Sequence, residues 1–510
     1  MAFASIYVPD FSVQAVVRTE HGLRGRALAL IEGTPPLEKV VAAGAAALRL
    51  GIEPGMKKTQ AEDFRGVEIR PRSLAQEKAA HAALLDLGWS VSPRVEDAAP
   101  DTIVLDLAGL ASLFGPEEEI AHQLTKRASG LGLAVHVAVA ANIEAALHAS
   151  CGFSGITLIP PGEESKRLGP LPVGALRPTE EILETFERWG VRTCAALAAL
   201  PLLELSERLG RAGVRLHELA RGARARSLVL AEPSLHFEEE MELEDSVEEL
   251  EPLAFVLGRL LDQLCARLAA RALAASAIRV RFDLNPCAEA APFQRRENFA
   301  PRNCAKTYEK TMVLPVPMRN SKTLLNLLRL QLQAHPPEAP VQKIFMAAEP
   351  ARPRTMPGGL FFPSGPDPEK LELTVARIAH LVGDANIGSP ELVDTHRAHE
   401  FRMKRPAPAR DAAPATGHQA RAGKTAIGFR LFRPAAPAHV ELRDARPARV
   451  TLHGKRGEVI AVSGPWRTSG DWWREDRWQC DEWDVQLASG LYRIYYDSIR
   501  QGWFARGAYD

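Results

Sequence analysis

Two short apolar runs, about a hundred residues apart, constrain this chain most. Ala4-Ser5-Ile6-Tyr7-Val8 has the composition of a buried strand. Pro9-Asp10 ends it, because proline has no amide to give to a sheet ladder and steers its neighbour away from helical geometry. A helix is expected just after Asp10. The second run, Thr102-Ile103-Val104-Leu105-Asp106-Leu107, has the same character and leads into a glycine-bounded loop at 109–115 carrying Leu113 and Phe114. Helix-like segments at 75–89, 117–130, 250–274, 321–334 and 369–382 intersperse with strand-like runs at 134–139, 277–284, 308–316 and 341–345, giving an α+β chain.

At 510 residues the chain is too long for one core and should divide into about three to five units. Its 63 basic and 63 acidic residues cancel, so any nucleic-acid contact must rest on a local basic face. Cys151, Cys194, Cys265, Cys287, Cys304 and Cys480 are scattered, without a C-x-x-C pair or zinc-spaced histidines; neither a disulfide framework nor a structural metal is expected, and a reducing cytoplasm fits. The N-terminus has no leader pattern and no apolar run reaches membrane length, so a soluble protein with no membrane partner and no cofactor is expected.

Both opening runs resemble pieces of the palm of Y-family (translesion) DNA polymerases: a first strand ending V-D-M-D and a later strand S-I-D-E-A-Y-L-D. Tyr7-Val8-Pro9-Asp10 stands in place of the first, so the metal-binding aspartate has become Val8. Residues 101–106 stand in place of D-E-A-Y-L-D, keeping Asp101 and replacing the glutamate by Thr102. Residues 40–56 resemble the fingers pattern V-x-A-x-N-Y-E-A-R-x-x-G-I-x-x-G-M. Its triphosphate-binding tyrosine and arginine fall on Ala45 and Leu48, and the residue that screens the sugar falls on Val13. Asn142-Ile143-Glu144-Ala145-Ala146-Leu147 stands for N-K-x-x-A-K with both lysines replaced. Two-metal phosphoryl transfer needs several hard oxygen ligands, and valine supplies none. The resemblance therefore implies a polymerase-shaped protein without a metal or nucleotide site, in which Asp10, Asp101 and Asp106 are vestigial. The alternative is an active translesion polymerase that uses those three carboxylates as a displaced metal site. In a regular strand, alternation would put Asp106 on the side opposite Asp101.

The same resemblance divides the chain into a palm (1–16 and 76–165), fingers (17–75), a helical thumb (166–234), a little finger (235–350), a linker with a possible clamp-binding segment and a helix (351–426), and a tryptophan-rich C-terminal interaction domain (427–510). DNA contact is expected from Arg208, Arg211 and Arg215 in the thumb, and from Arg279, Arg281, Arg295, Arg296 and Lys306 on a sheet face of the little finger, where Arg279 and Arg281 share a side. The acidic run 238–245 reads as an exposed connection. Leu360-Phe361 fits the end of a sliding-clamp peptide. Tryptophan and tyrosine concentrate at interaction surfaces, which makes Trp466, Trp472, Trp473 and Trp483 candidate partner-binding residues, about half of such side chains being expected in the core instead. Ser463-Gly464-Pro465-Trp466-Arg467-Thr468-Ser469-Gly470-Asp471-Trp472-Trp473 resembles the tail of the non-catalytic Y-family members of bacterial mutagenesis cassettes. That resemblance implies an SOS-mutagenesis adaptor at the nucleoid. Its partners would be DNA, the sliding clamp, a RecA-like partner (ImuA) and an error-prone DnaE-type polymerase.

Overall fold

The structure, a computed structural model, describes residues 2–285, 307–353, 368–383, 386–394, 400–404, 428–473, 475 and 477–509. It divides into two compact units, Met1–Arg377 and Ile378–Asp510.

In the first unit the opening run forms the strand Phe3–Tyr7, the middle member of a five-stranded sheet. Thr102–Asp106 and His136–Ala140 flank it, both antiparallel, with Tyr7 opposite Thr102 and Phe3 opposite Asp106. Alternation sends Ala4, Ile6, Ile103, Leu105, Val137 and Val139 into one apolar core with the helices Leu74–Trp89 and Glu117–Gly130. The helix Ile143–Gly152 covers the other face, where the hydroxyls of Ser5 and Ser150 lie 2.8 Å apart. Past Pro9, Asp10 takes a left-handed conformation (φ 47°) and the helix Phe11–Thr19 starts at once. A second, three-stranded sheet has the order Lys39–Ala43, Ala27–Glu32, Val67–Pro71.

Short helices follow, the last being Leu202–Ala220. It is broken at Gly210, whose φ of 59° and ψ of −146° suit a residue without a Cβ. From there the chain runs along the edge of the five-stranded sheet: the amide of Ala231 donates to the carbonyl of Val95 at 2.8 Å. It enters an antiparallel four-stranded sheet ordered Thr307–Met318, Ala274–Leu284, Val341–Ala351, Phe237–Val247. Leu250–Ala270 and Ser321–Ala334 close one face over Leu257, Leu264, Ile278, Phe282 and Ile344.

The acidic run corrects the sequence expectation. It is no exposed connection but part of the edge strand Phe237–Val247, and period two turns Glu239 inward between Phe237 and Met241. Arg18 clamps the buried Glu239 with two 2.9 Å hydrogen bonds, and Arg267 Nη1 reaches the same carboxylate at 3.3 Å. Arg267 Nε also holds Asp86 Oδ2 at 2.9 Å. All four side chains are 2–3% exposed. Two cations and two carboxylates thus fasten the four-stranded sheet to the helices Phe11–Thr19 and Leu74–Trp89.

The second unit contains a hairpin, Ser389–Leu392 with Phe401–Lys404, and a sheet of seven strands between Phe429 and Tyr509. Each of these strands that reverses on its predecessor pairs with it antiparallel, and the first pairs with the last, Ala436 standing opposite Ala505. Lys455–Glu458 and Ala461–Gly470 are consecutive pieces of one path. Between them Val459 N donates to Ala448 O (3.0 Å) and Ile460 N to Gln486 O (2.8 Å), so one path pairs first with one end of the sheet and then with the other, curling it into a partial ring. Val440, Val450, Trp483, Val485 and Ile494 fill its inside.

Candidate functional site

The carboxylates at the two ends of the strand Thr102–Asp106 do not converge. Val8 donates its amide to the Asp101 carbonyl at 2.8 Å, and its side chain is wholly buried in the apolar core. Asp10 is exposed beyond the end of the sheet. Asp101 stands just before the strand Thr102–Asp106, where its Oδ1 accepts the Thr102 hydroxyl at 2.7 Å. Asp106 lies at the strand's far end, on the side of Thr102 and Val104. Arg94 holds its Oδ2 at 2.7 Å and the Ala108 amide donates to its Oδ1 at 2.9 Å. Five strand residues separate Asp101 from Asp106 by about 16 Å, against the roughly 4 Å between the ions of a two-metal centre. Among the described residues, no group of three or more His, Cys, Asp or Glu side chains is arranged to hold a metal ion. Burial, reinforced by the nearby Asp101, Cys151 and Asp10, raises the Tyr7 phenol, while Arg177 opposes that rise.

The replaced nucleotide positions have other surroundings. Ala45 and Leu48 are exposed on the short helix Ala45–Arg49, and Arg49 turns back so that its Nε donates to the Ala45 carbonyl at 3.1 Å. Val13 is buried against Leu28 and Leu30. Leu147 lines a cleft of about 220 Å³ between the strand Val95–Ala99, the helix Ile143–Gly152 and the C-terminal part of Leu202–Ala220. Its charged lining is Glu96, Glu144, Arg177, Arg215 and Arg226, with His148 and Cys151. Arg226 forks onto Glu96 at 2.7 and 2.6 Å and reaches Glu144 with Nε at 2.9 Å, which occupies both carboxylates. Burial lowers the His148 pKa. Its Nδ1 lies 3.1 Å from the Ala175 carbonyl, while its buried Nε2 has no hydrogen-bond partner, Glu144 Oε2 standing off at 3.8 Å.

Arg208, Arg211 and Arg215 are all exposed, and the Gly210 break falls between the first two. Arg208 lies over the Trp189 ring at 5.6 Å. Arg279 and Arg281 do share the open face of the four-stranded sheet, yet that face is not basic. Arg279 faces Glu349 at 3.8 Å and Arg281 faces Asp283 at 3.7 Å, while Lys343 pairs with Glu240. The strand register adds Glu238, Glu242 and Glu309 to the same face. Carboxylates therefore outnumber cations there among the described residues. Arg295, Arg296, Lys306, Leu360 and Phe361 lie outside the described residues.

The tryptophans separate sharply. Trp483, expected as a partner contact, is 6% exposed and packs inside the ring of strands with Trp503, because its position alternates with Glu482 and Asp484, which meet Arg506 and Arg493 on the strand's other face. Trp466 is half-exposed with the Arg493 guanidinium 5.5 Å from its ring. Trp472 and Trp473, 79% and 62% exposed, project from the turn between Ala461–Gly470 and Trp478–Leu487, edge to face at 5.3 Å. The Arg226 clamp and the Glu239 network escaped sequence reading. Only the alternation of Phe237, Glu239 and Met241 hinted at the second.

The sequence profile of the impB/mucB/samB family matches residues 6–150, and that of the family's C-terminal domain matches residues 238–352. Together they take in about half of the chain, which belongs to the impB/mucB/samB family and has the Y-family polymerase-like architecture. Within it the chain is ImuB-like: it is 25% identical over 431 residues to Protein ImuB of Caulobacter vibrioides, covering 83% of this chain and 89% of that protein. It is also 32% identical over 212 residues to DNA polymerase IV of Alkalilimnicola ehrlichii, covering 40% of this chain and 59% of that one. Among solved structures, DinB from Sulfolobus solfataricus is 16% identical with a TM-score of 0.40, covering 69% of this chain and all of that one. The five-stranded sheet is accordingly the palm, the three-stranded sheet the fingers, the helices from Glu164 to Ala220 the thumb and the four-stranded sheet the little finger, followed by a strand-rich C-terminal unit.

No helix among the described residues is long and apolar enough to cross a membrane.

Proposed function

We propose that this protein is a catalytically inactive, polymerase-shaped adaptor in DNA-damage mutagenesis. It binds DNA and recruits an error-prone polymerase in translesion synthesis. The family match supports the mutagenesis role. One observation carries the inactivity: the position of the metal-binding aspartate is a valine packed in the palm core, while Asp106 is tied to Arg94 far from Asp101. An active enzyme with a displaced site needs at least two of Asp10, Asp101 and Asp106 on one ion, and the length of the strand keeps Asp106 from sharing one with Asp101. Primer extension with Mg²⁺ or Mn²⁺ tests this reading. No template-dependent synthesis is expected; synthesis abolished by Asp101→Ala would sink the adaptor.

DNA contact falls mainly to the thumb, where Arg208, Arg211 and Arg215 are exposed and a glycine break bares backbone amides. Arg279 and Arg281 contribute less, being matched by carboxylates. Leu360 and Phe361 serve the sliding clamp. Trp472 and Trp473, with Trp466, serve the protein partners: the RecA-like ImuA and a DnaE-type polymerase. Paired exposed indoles on a partial ring of strands offer large apolar area at little entropy cost. Deleting residues 427–510 should abolish damage-induced mutagenesis while leaving DNA affinity intact; retained mutagenesis would refute the partner role. The proposal keeps the palm, fingers, thumb, little-finger, linker and C-terminal boundaries read from the sequence, and a cytoplasmic, nucleoid-associated setting.

A further inference from the structure

The cleft beside Leu147 has a charge arrangement that the emptied metal centre does not explain. Of its three arginines, Arg226 is fully engaged by Glu96 and Glu144. Arg177 and Arg215 have no carboxylate within ion-pair distance among the described residues. Both nevertheless act on His148, helping to keep its pKa low after burial, so the two guanidiniums approach the same wall of the cleft. Arg177 touches only the Cys151 thiol, at 3.9 Å. The buried His148 Nε2 adds a polar atom without a hydrogen-bond partner. Glu96 and Glu144 share the single guanidinium of Arg226, so the lining holds three arginines against two carboxylates, and Asp101 is outside it. A net positive charge and two guanidinium forks without a carboxylate around a small open volume suit one phosphoryl group, whose oxygens accept from the forks. A triphosphate would bring more negative charge than this lining offsets, with no assembled carboxylates to supply a divalent ion.

We propose that this palm–thumb cleft binds a single phosphate of a DNA strand through Arg177 and Arg215. The proposal rests on the DNA-binding reading, gives its Arg215 a specific partner, and adds Arg177, which that reading did not include. Arg177 has φ 51°, a left-handed conformation, so its substitution is paired with a charge-retaining control. The test uses the full chain with two probes: inorganic phosphate, titrated by calorimetry against chloride at matched ionic strength, and a labelled primer–template, titrated over a salt series. R177Q/R215Q is expected to weaken phosphate binding at least tenfold, and R177K/R215K to recover part of it. The same glutamine pair should lower the salt slope of DNA binding by roughly 0.9 for each phosphate that is no longer neutralised. Phosphate binding that is absent in the wild type, or unchanged in R177Q/R215Q, overturns the site even if DNA affinity is intact, and in that case the DNA reading stands on R208Q/R211Q alone. Phosphate binding abolished with DNA binding unchanged overturns the assignment to a strand and identifies free phosphate as the ligand. A folded R177Q/R215Q deficient in both, recovered by lysine, supports the proposal.

Discussion

Removing Glu239 should loosen the little finger from the palm at a measurable cost. Its carboxylate takes two 2.9 Å hydrogen bonds from Arg18 and a third, at 3.3 Å, from Arg267. Glu239→Ala would leave two buried guanidiniums facing one carboxylate, Asp86, which burial already pushes towards protonation against the pull of Arg267. Breaking a buried pair from one side typically costs about 3–5 kcal/mol, because the surviving charge keeps its desolvation penalty. Glu239 serves two partners, so the upper part of that range is expected. Arg18→Met with Glu239→Met removes both charges of the fork together and should cost less than Glu239→Ala alone, with a coupling of at least about 1 kcal/mol. Urea unfolding followed through Trp89 and Trp189 reads the stability of this unit, and protease cutting within 224–236 reads undocking. An alanine variant within about 1 kcal/mol of wild type, or no milder in the double variant, would refute the reasoning.

Other consequences are open to direct measurement. Trp483→Ala should cost about 3–5 kcal/mol in thermal unfolding of the C-terminal unit, while Trp472→Ala and Trp473→Ala stay within about 0.5 kcal/mol yet fail to capture partners. R208Q/R211Q should reduce the salt slope of DNA binding by about 0.9 for each phosphate released from neutralisation, and an unchanged slope would exclude the thumb. Burial would raise the Glu77 carboxyl, but the Arg72 fork, at 2.8 and 3.0 Å, and a hydrogen bond from Ser12 bring it below its ordinary 4.5. Because the folded value is the lower one, this contribution to stability is complete above about pH 4.5 and disappears as pH falls through the folded value. Glu77→Gln should flatten that part of an acid titration of stability; an unaltered profile would contradict the assignment.

Regular, locally capped elements were legible in the sequence. The helices Glu117–Gly130 and Ser321–Ala334 fall at their expected bounds, the second because the Asn320 side chain accepts from the Thr323 amide at its start. What escaped was set by pairing between distant segments. Six acidic residues in the stretch 238–245 drown the period-two signal that turns Glu239 inward. The charge of the little-finger face depends on Glu238 and Glu242 lying across the sheet from Arg279 and Asp283, a register no local window contains. Arg226 meets Glu96 from 130 positions away. Trp483 was misassigned because composition alone does not tell which side of a strand an aromatic takes.

Val8 also has a bearing on the protein's history. Its side chain belongs to the same apolar cluster as Ile6, Leu84 and Leu105, with no exposed surface. Restoring aspartate there would place a carboxylate among hydrocarbons, with several kcal/mol of desolvation and no metal waiting to repay it until other ligands had returned. The first step of any reversal would lower stability before it could raise activity. On the proposed reading, the packing of one methyl-bearing side chain works as a ratchet: aspartate at this position would cost stability unless several other changes came with it.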